Sequence, residues 1–293
     1  MTGYPGKLVL SSRQLTVELL PAWGAKLISL RTEPDGYEFL SAAPFGPHPP
    51  DPTTFSAADA YGFDDTFPGV YPQAYPAPPW QDERIADHGN LWYRAWDYCA
   101  ENGEARLWVE DDRLGWRFAK TLRFSAPRCL EILYRAENRS PHPLHWLYCA
   151  HILCPYRPGV ELELPAARYR RLETMGQPLP EECPGDADHM LRPEALPSHT
   201  AAYYVSDEVR SAHCTYRDRP AGKALRLSWS ASLAYLGLWY NHLAWTPEQP
   251  LVHLGLEPTT AADQDLAKAL QGGAMQPLEP GGHASWRITL GVM

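Results

Sequence analysis

No apolar stretch reaches the length of a membrane-spanning helix. No run of lysine and arginine is long enough to track a phosphate backbone, and 26 basic against 35 acidic residues leave a net charge of −9. A field of that sign repels nucleic acid, so no nucleic acid and no membrane is expected as a partner. Met1 to Leu10 shows no charged-then-apolar secretory pattern. The six cysteines, Cys99, Cys129, Cys149, Cys154, Cys183 and Cys214, include no close CxxC pair. They read as free thiols in a reducing, cytoplasmic protein. There is no GxGxxG, no P-loop and no GxSxG. His142 and His145 form an HxxH, but no third and fourth ligands stand at zinc-like spacing. No cofactor and no metal is therefore expected. Internal repeats and low-complexity tails are absent.

The composition points to strands. A chain of 293 residues can bury a substantial core without staples. Proline is abundant at 30 residues, which disfavours a helical bundle, while 11 Trp and 16 Tyr favour strands. Short apolar runs separated by Gly, Pro, Asn and Asp recur from Lys7–Leu10 through Leu15–Leu20 and Lys26–Arg31 to Ser285–Leu290. The expectation is an all-β, large antiparallel β-sandwich with few short helices, in one domain over residues 1–293. One short helix is expected at Asp263 to Leu270, stopped by Gly272 and Gly273. Ala43 to Trp80 and Met175 to Ser198 read as long ordered loops. Pro165 to Pro197 is the one place where a domain boundary is conceivable. Edge strands allow a monomer or a homodimer.

Four segments hold residues suited to chemistry. Cys129 to Ala136 and Leu144 to Ile152 read as an antiparallel pair about the turn Asn138-Arg139-Ser140. On the returning strand His145, Leu147, Cys149 and His151 share a face. His151 is either a satisfied core histidine or a proton-transfer group near neutral pH. In LVHLGLEPTT, residues 251–260, Leu251, His253, Gly255 and Glu257 share one face, and Val252, Leu254 and Leu256 the other. Gly255 leaves space beside Glu257, and Pro258 is expected to end the strand. His88-Gly89 reads as a turn or a close approach of backbone. Asp64 and Asp65 sit among aromatics in YGFDDTFPGVYP, an arrangement that suits a sugar face or an ordinary loop. The patch Arg168 to Arg171 could hold a phosphate or be a solvated face.

Together and in order, these segments resemble the aldose 1-epimerase (galactose mutarotase) family across nearly the full length. LPAWGAKLISLR at 20–31 resembles its opening strands, and Phe63 to Pro68 an early loop ending in Phe-Pro. DHGN at 87–90 resembles the first histidine motif, and NRSPHPL with AHILCPY at 138–156 the asparagine turn and second histidine. LGLWYNHLAW, LEPTT and LQGGAMQPLEPGGHASWRITL resemble the late strands and the closing segment. The resemblance implies a β-sandwich with a sugar site on a concave face and a small-molecule sugar as partner. It implies Glu257 as the base at the anomeric hydroxyl and His151 as the acid at the ring oxygen. His88 would orient the sugar, with Asp64, Asp65, Trp239, Asn241 and Arg84 as further binding residues. The early arginine of the family has Arg84 as its nearest counterpart. The middle aspartate has only Asp207 and Asp186 as counterparts, and two residues separate His151 from the Cys154-Pro155-Tyr156 that follows. Two other activities fit the same sandwich: a non-catalytic carbohydrate-binding protein, and a two-carboxylate glycosidase using Glu257 and an aspartate.

Overall fold

The computed structural model describes residues 6–46, 48–166, 168–184, 196–245, 251–273 and 275–293. The first strands are β1 (Leu8–Ser11), β2 (Leu15–Leu20), β3 (Lys26–Thr32) and β4 (Phe63–Thr66). Two short pieces, β5 (Gln73–Ala74) and β6 (Arg84–Ile85), pair with each other. A meander follows: β7 (Asp97–Glu101), β8 (Glu104–Asp111), β9 (Trp116–Ala126) and β10 (Cys129–Asn138). Then come β11 (Cys149–Pro155), β12 (Val160–Glu163), β13 (Arg168–Gly176), β14 (Glu182–Pro184), β15 (Thr200–Ser206) and β16 (His213–Asp218). The last are β17 (Lys223–Trp229), β18 (Tyr235–His242), β19 (Val252–Thr259), the helix α1 (Leu266–Gln271) and β20 (His283–Val292).

These strands make two large antiparallel sheets. One has ten strands in the order β1-β2-β3-β4-β11-β19-β18-β15-β13-β14. The other has eight, in the order β12-β16-β17-β20-β10-β9-β8-β7. The expected antiparallel β-sandwich with little helix is what forms. Asp265 caps α1 by accepting from the Lys268 amide at 3.1 Å, so the helix begins three residues later than its composition suggests. No helix among the described residues is long and apolar enough to cross a membrane.

Several expectations are corrected. Cys129–Ala136 and Leu144–Ile152 do not form a hairpin: β10 pairs β9 and β20 in one sheet, and β11 pairs β4 and β19 in the other. Asn138 explains the change of sheet. Its Nδ2 donates to the carbonyls of His142 and Leu278, both at 2.7 Å, and its Oδ1 accepts from the Ser140 amide at 2.9 Å. Those bonds hold an irregular crossing through His145, and regular pairing resumes only at Cys149. Ala43–Trp80 is not all loop, because Phe63–Thr66 is a strand, paired along its length with Cys149–Ile152 of β11 and through Phe63 with Leu27 of β3. β13 and β14 enter the stretch read as a second loop, whose residues 185–195 lie outside the described ones. Pro258 does not end β19, which runs on to Thr259 with Pro258 opposite Leu236. β15 escaped notice because all seven of its residues are buried, which leaves no alternation to read.

The two sheets are joined by an ion pair in the core. The Lys120 Nζ on β9 lies 2.8 Å from Asp65 Oδ2 on β4, with both side chains fully buried. Asp65 Oδ1 also accepts from the Tyr148 hydroxyl at 2.7 Å, and Lys120 donates to the Ala25 carbonyl at 2.8 Å. Around it pack Phe118, Tyr134, Tyr148 and Trp286, with ring centroids 4.6–6.1 Å apart. A buried pair is costly to break because one charge is left without a partner. Lys120→Met should therefore lower the unfolding free energy by about 3–5 kcal/mol in urea at pH 7. Adding Asp65→Asn should return part of that loss, since a carboxamide has no charge to strand. A single-variant cost below about 1 kcal/mol would contradict this account.

Candidate active site

Period-two alternation puts one face of four neighbouring strands into a common cleft. His151 comes from β11, Glu257 and His253 from β19, Trp239 from β18 and Tyr203 from β15; all line it. The cleft has a volume of about 270 Å³. That is the small end for ligand sites and suits a single sugar ring. His151 Nε2 stands 3.8 Å from Glu257 Oε1.

Glycine makes room for the carboxylate. A Cβ on Gly255 would lie 2.5 Å from Glu257 Oε1, and one on Gly237 would lie 2.0 Å from the Tyr203 hydroxyl oxygen. Gly237 is directly opposite Glu257 in the register, and Gly255 is opposite Trp239. The two glycines thus clear the lane into which Glu257 and Tyr203 reach. Gly89 serves the other wall. Its φ is +78°, and a Cβ there would meet Phe67 backbone atoms at 2.7 Å. This contact seats His88 at the rim, where its ring stacks on Phe55 at 3.7 Å and lies 5.0 Å from the His151 ring. His88 Nδ1 is 3.0 Å from Asp87 Oδ1.

Glu257 is buried without a cation. Its Oε2 is approached by the Cys149 thiol at 3.6 Å and the Gln264 amide at 3.4 Å, and no Lys or Arg of the described residues forms a salt bridge with it. Burial pushes its pKa up to about 8, with Cys149, Tyr203 and Gln264 pulling partly the other way. His151 moves in the opposite direction. Burial, reinforced by His88, His253 and Lys26, holds it well below the usual imidazole range. His253 is lowered to about 4 by burial, and its Nε2 accepts from the Trp239 indole at 2.9 Å. Near neutral pH the Glu257–His151 pair holds one proton, which rests on the carboxyl.

The structure brings together four of the residues singled out from sequence: Glu257, His151, His88 and Trp239. The other four lie elsewhere. Asp64 and Asp65 are on a strand, so they point to opposite faces. Asp65 goes to the inter-sheet core, while Asp64 pairs with Lys26 at 3.0 Å and is 1% exposed. Asp64 is the cross-strand partner of His151 but does not line the cleft. Burial raises its pKa to about 6 against the pull of Lys26. Arg84 is exposed on the small β5–β6 pair. Asn241 is buried, and its Oδ1 accepts from the amides of Ala244 and Trp245, so it shapes the turn that brings Trp245 to the cleft. Asp207 pairs with Arg168 at the surface, which also accounts for that arginine, and Asp186 is outside the described residues. No group of three or more His, Cys, Asp or Glu among the described residues could hold a metal ion.

Sequence reasoning missed Phe55, Cys149, Tyr203, Glu173 and Gln264 as cleft residues. His253 and Cys149 shared a face with Glu257 and His151 in the alternation, so that signal was present. Phe55 and Gln264 lie on irregular backbone, where spacing carries no such signal.

Burial of Glu257 has a consequence for stability. Its folded pKa of about 8 lies above the unfolded value of 4.5, so the folded state retains a proton that the unfolded chain gives up. The group therefore works against folding increasingly as pH rises from 4.5 to about 8. Glu257→Gln removes this penalty. The variant should gain stability over wild type, and the gain should grow by about 2–3 kcal/mol between pH 6 and pH 9 in denaturant titrations. A gain independent of pH would show that the carboxyl titrates in its ordinary range.

No family model matches the chain, and no curated protein matches it in sequence. Solved structures do match. A protein from Synechocystis sp. PCC 6803 aligns over 100% of this chain and 98% of its own, with TM-score 0.74 and 17% identity. A candidate aldose 1-epimerase from Escherichia coli K12 aligns over 98% of each chain, with TM-score 0.74 and 15% identity. A galactose mutarotase-like protein from Lactobacillus casei aligns over 98% of this chain and 100% of its own, with TM-score 0.66 and 13% identity. At such identities the likeness is one of architecture, and the architecture is the galactose mutarotase-like β-sandwich.

Proposed function

We propose that the protein is an aldose 1-epimerase, interconverting the α and β anomers of a free sugar in the cleft. The observation that carries this reading is the 3.8 Å separation of Glu257 Oε1 and His151 Nε2 in the cleft. The two oxygens that must exchange protons, O1 and the ring oxygen O5, are bonded to the same carbon. An acid and a base serving them must converge within a few ångströms, as these two groups do.

The chemistry needs one proton on the pair. In the acting form Glu257 is the carboxylate and His151 the imidazolium. Glu257 takes the O1 proton, the C1–O5 bond breaks as the C1–O1 double bond forms, and His151 gives its proton to O5. Rotation about C1–C2 presents the other face of the aldehyde. Closure then reverses both transfers and restores the pair. The resting tautomer, with the proton on Glu257, reaches the acting form by one proton transfer relayed through the sugar hydroxyl that lies between the two groups. No nucleotide, metal or covalent intermediate enters these steps. His88, held by Phe55 and Asp87, offers its Nε2 to a sugar oxygen, and the Trp239 and Phe55 rings offer faces for sugar C–H groups. Each proton transfer typically supplies about 10²- to 10⁴-fold. The six cysteines are unpaired, which accords with a cytoplasmic setting for this activity.

Freshly dissolved α-anomers of a panel of aldoses, followed by NMR, test the reading. Wild type should speed anomer exchange for at least one of them, and Glu257→Gln should lower that rate by about 10³-fold or more. Saturable binding without any acceleration would instead make the protein a carbohydrate-binding module. The pH profile gives a second check. Activity should hold from pH 6 to about 7.5 and fall above about 8, where the pair loses its proton. Ordinary carboxylate and imidazole values would make the rate decline from about pH 6.5.

A further inference from the structure

The end of the cleft away from His88 carries a carboxylate that the reaction does not use. Glu173 lies on β13, next to β15 at the far side of the ten-stranded sheet. A bulge puts it there. Arg171 is opposite Tyr204, but the next paired residue is Glu173, opposite Tyr203, with Leu172 left out of the ladder. Without that extra residue, Leu172 would stand opposite Tyr203 and Glu173 would turn to the other face. Bulges recur beside active sites because they re-aim a side chain in this way. Here the choice is between an apolar leucine and a negative charge in the cleft.

The charge is not neutralised by protein. Glu173 Oε1 accepts from the Tyr71 hydroxyl at 2.5 Å, and no Lys or Arg of the described residues forms a salt bridge with it. No Lys or Arg is among the described residues that line the cleft at all, whereas Asp87, Glu173 and Glu257 are. The Tyr203 hydroxyl reaches over Gly237, opposite Glu257, and so serves that end of the cleft. A ligand group beside Glu173 would meet a charged acceptor with no lysine or arginine in the lining to compete for it.

We propose that Glu173 is the specificity-determining residue of this cleft and that the sugar it selects carries a protonated amino group. The inference rests on the sugar-site reading and narrows it. An ammonium donates to the Glu173 carboxylate in a charge-assisted hydrogen bond, stronger than one from a neutral hydroxyl. The same arrangement opposes a phosphate or a uronate, which would enter a site with carboxylates and no cation.

Isothermal titration at pH 6 tests this, with 2-amino and 6-amino hexoses each compared with the parent hexose. At least one amino sugar should bind roughly tenfold or more tightly than its parent. In Glu173→Gln that ratio should fall to near one, while Glu173→Asp, which keeps the charge, should retain a preference. A wild-type ratio near one for every pair would overturn the proposal. So would a preference that survives Glu173→Gln undiminished. Binding heats do not depend on turnover, so the two readings fail separately. Amino-sugar preference without anomer exchange would sink the isomerase alone, and exchange without preference would sink the role of Glu173 alone.

Discussion

A carboxylate taken out of water must find a cation or keep a proton, and the ten-stranded sheet holds three of them on two of its strands. Asp65 finds Lys120 and ties the two sheets together. Asp64, one residue away on the opposite face, finds Lys26. Glu257, two strands further along the sheet from β4, finds only a thiol, an amide and a neutral imidazole. The first two therefore act as buried ion pairs, Asp65–Lys120 between the sheets and Asp64–Lys26 within one. The third becomes a proton holder in a cleft. Lys26 connects the two behaviours, because its charge beside the cleft adds to the burial that keeps His151 neutral. Structure and reactivity are in this sense one electrostatic problem solved three ways.

Strand geometry sets the rest. In an antiparallel sheet, residues paired across a ladder share a face, so choosing Glu257 also chooses Gly237 and, beyond it, the face of Tyr203. The glycines admit the long side chains, and the bulge on β13 extends the same polar face by one carboxylate. The remaining wall comes from irregular backbone, the segment through Phe55 and the His88-Gly89 turn, clamped against Phe67. A rigid sheet floor with loop-borne aromatics at the rim is the usual division between precise positioning and adaptable contact.

Much of this was legible in the sequence, for reasons that can be named. In LVHLGLEPTT the period of two is unbroken, so Glu257 and His253 could be assigned to the face opposite Leu254 and Leu256 before any coordinates. His151 was placed on the face of Cys149, which β11 keeps although the chain before it is irregular, and the order of the segments was enough to anticipate the architecture. Asp64 and Asp65 were not legible, because FDDT is four residues with no alternation of polarity. Both aspartates are buried, and what tells them apart is a lysine 55 or 38 positions away along the chain, at Lys120 or Lys26. The hairpin expected about Asn138 failed because a polar turn looks alike whether the chain returns to its own sheet or crosses to the other. Only the bonds from Asn138 to the distant Leu278 distinguish the two. Glu173 was hidden by the bulge, since strict alternation assigns it to the wrong face.

At neutral pH the opposite shifts of Glu257 and His151 leave a single proton between them, with the carboxyl as its resting place. Carbon-13 NMR of a glutamate-labelled protein, with the Glu257 signal assigned through Glu257→Gln, reports that protonation directly. Nitrogen-15 spectra of the His151 ring in the same sample report the other half of the pair. The carboxyl should titrate near pH 8 beside an imidazole that is neutral at pH 6. A carboxyl titrating near its ordinary value of 4.5, beside an imidazolium at pH 6, would contradict it.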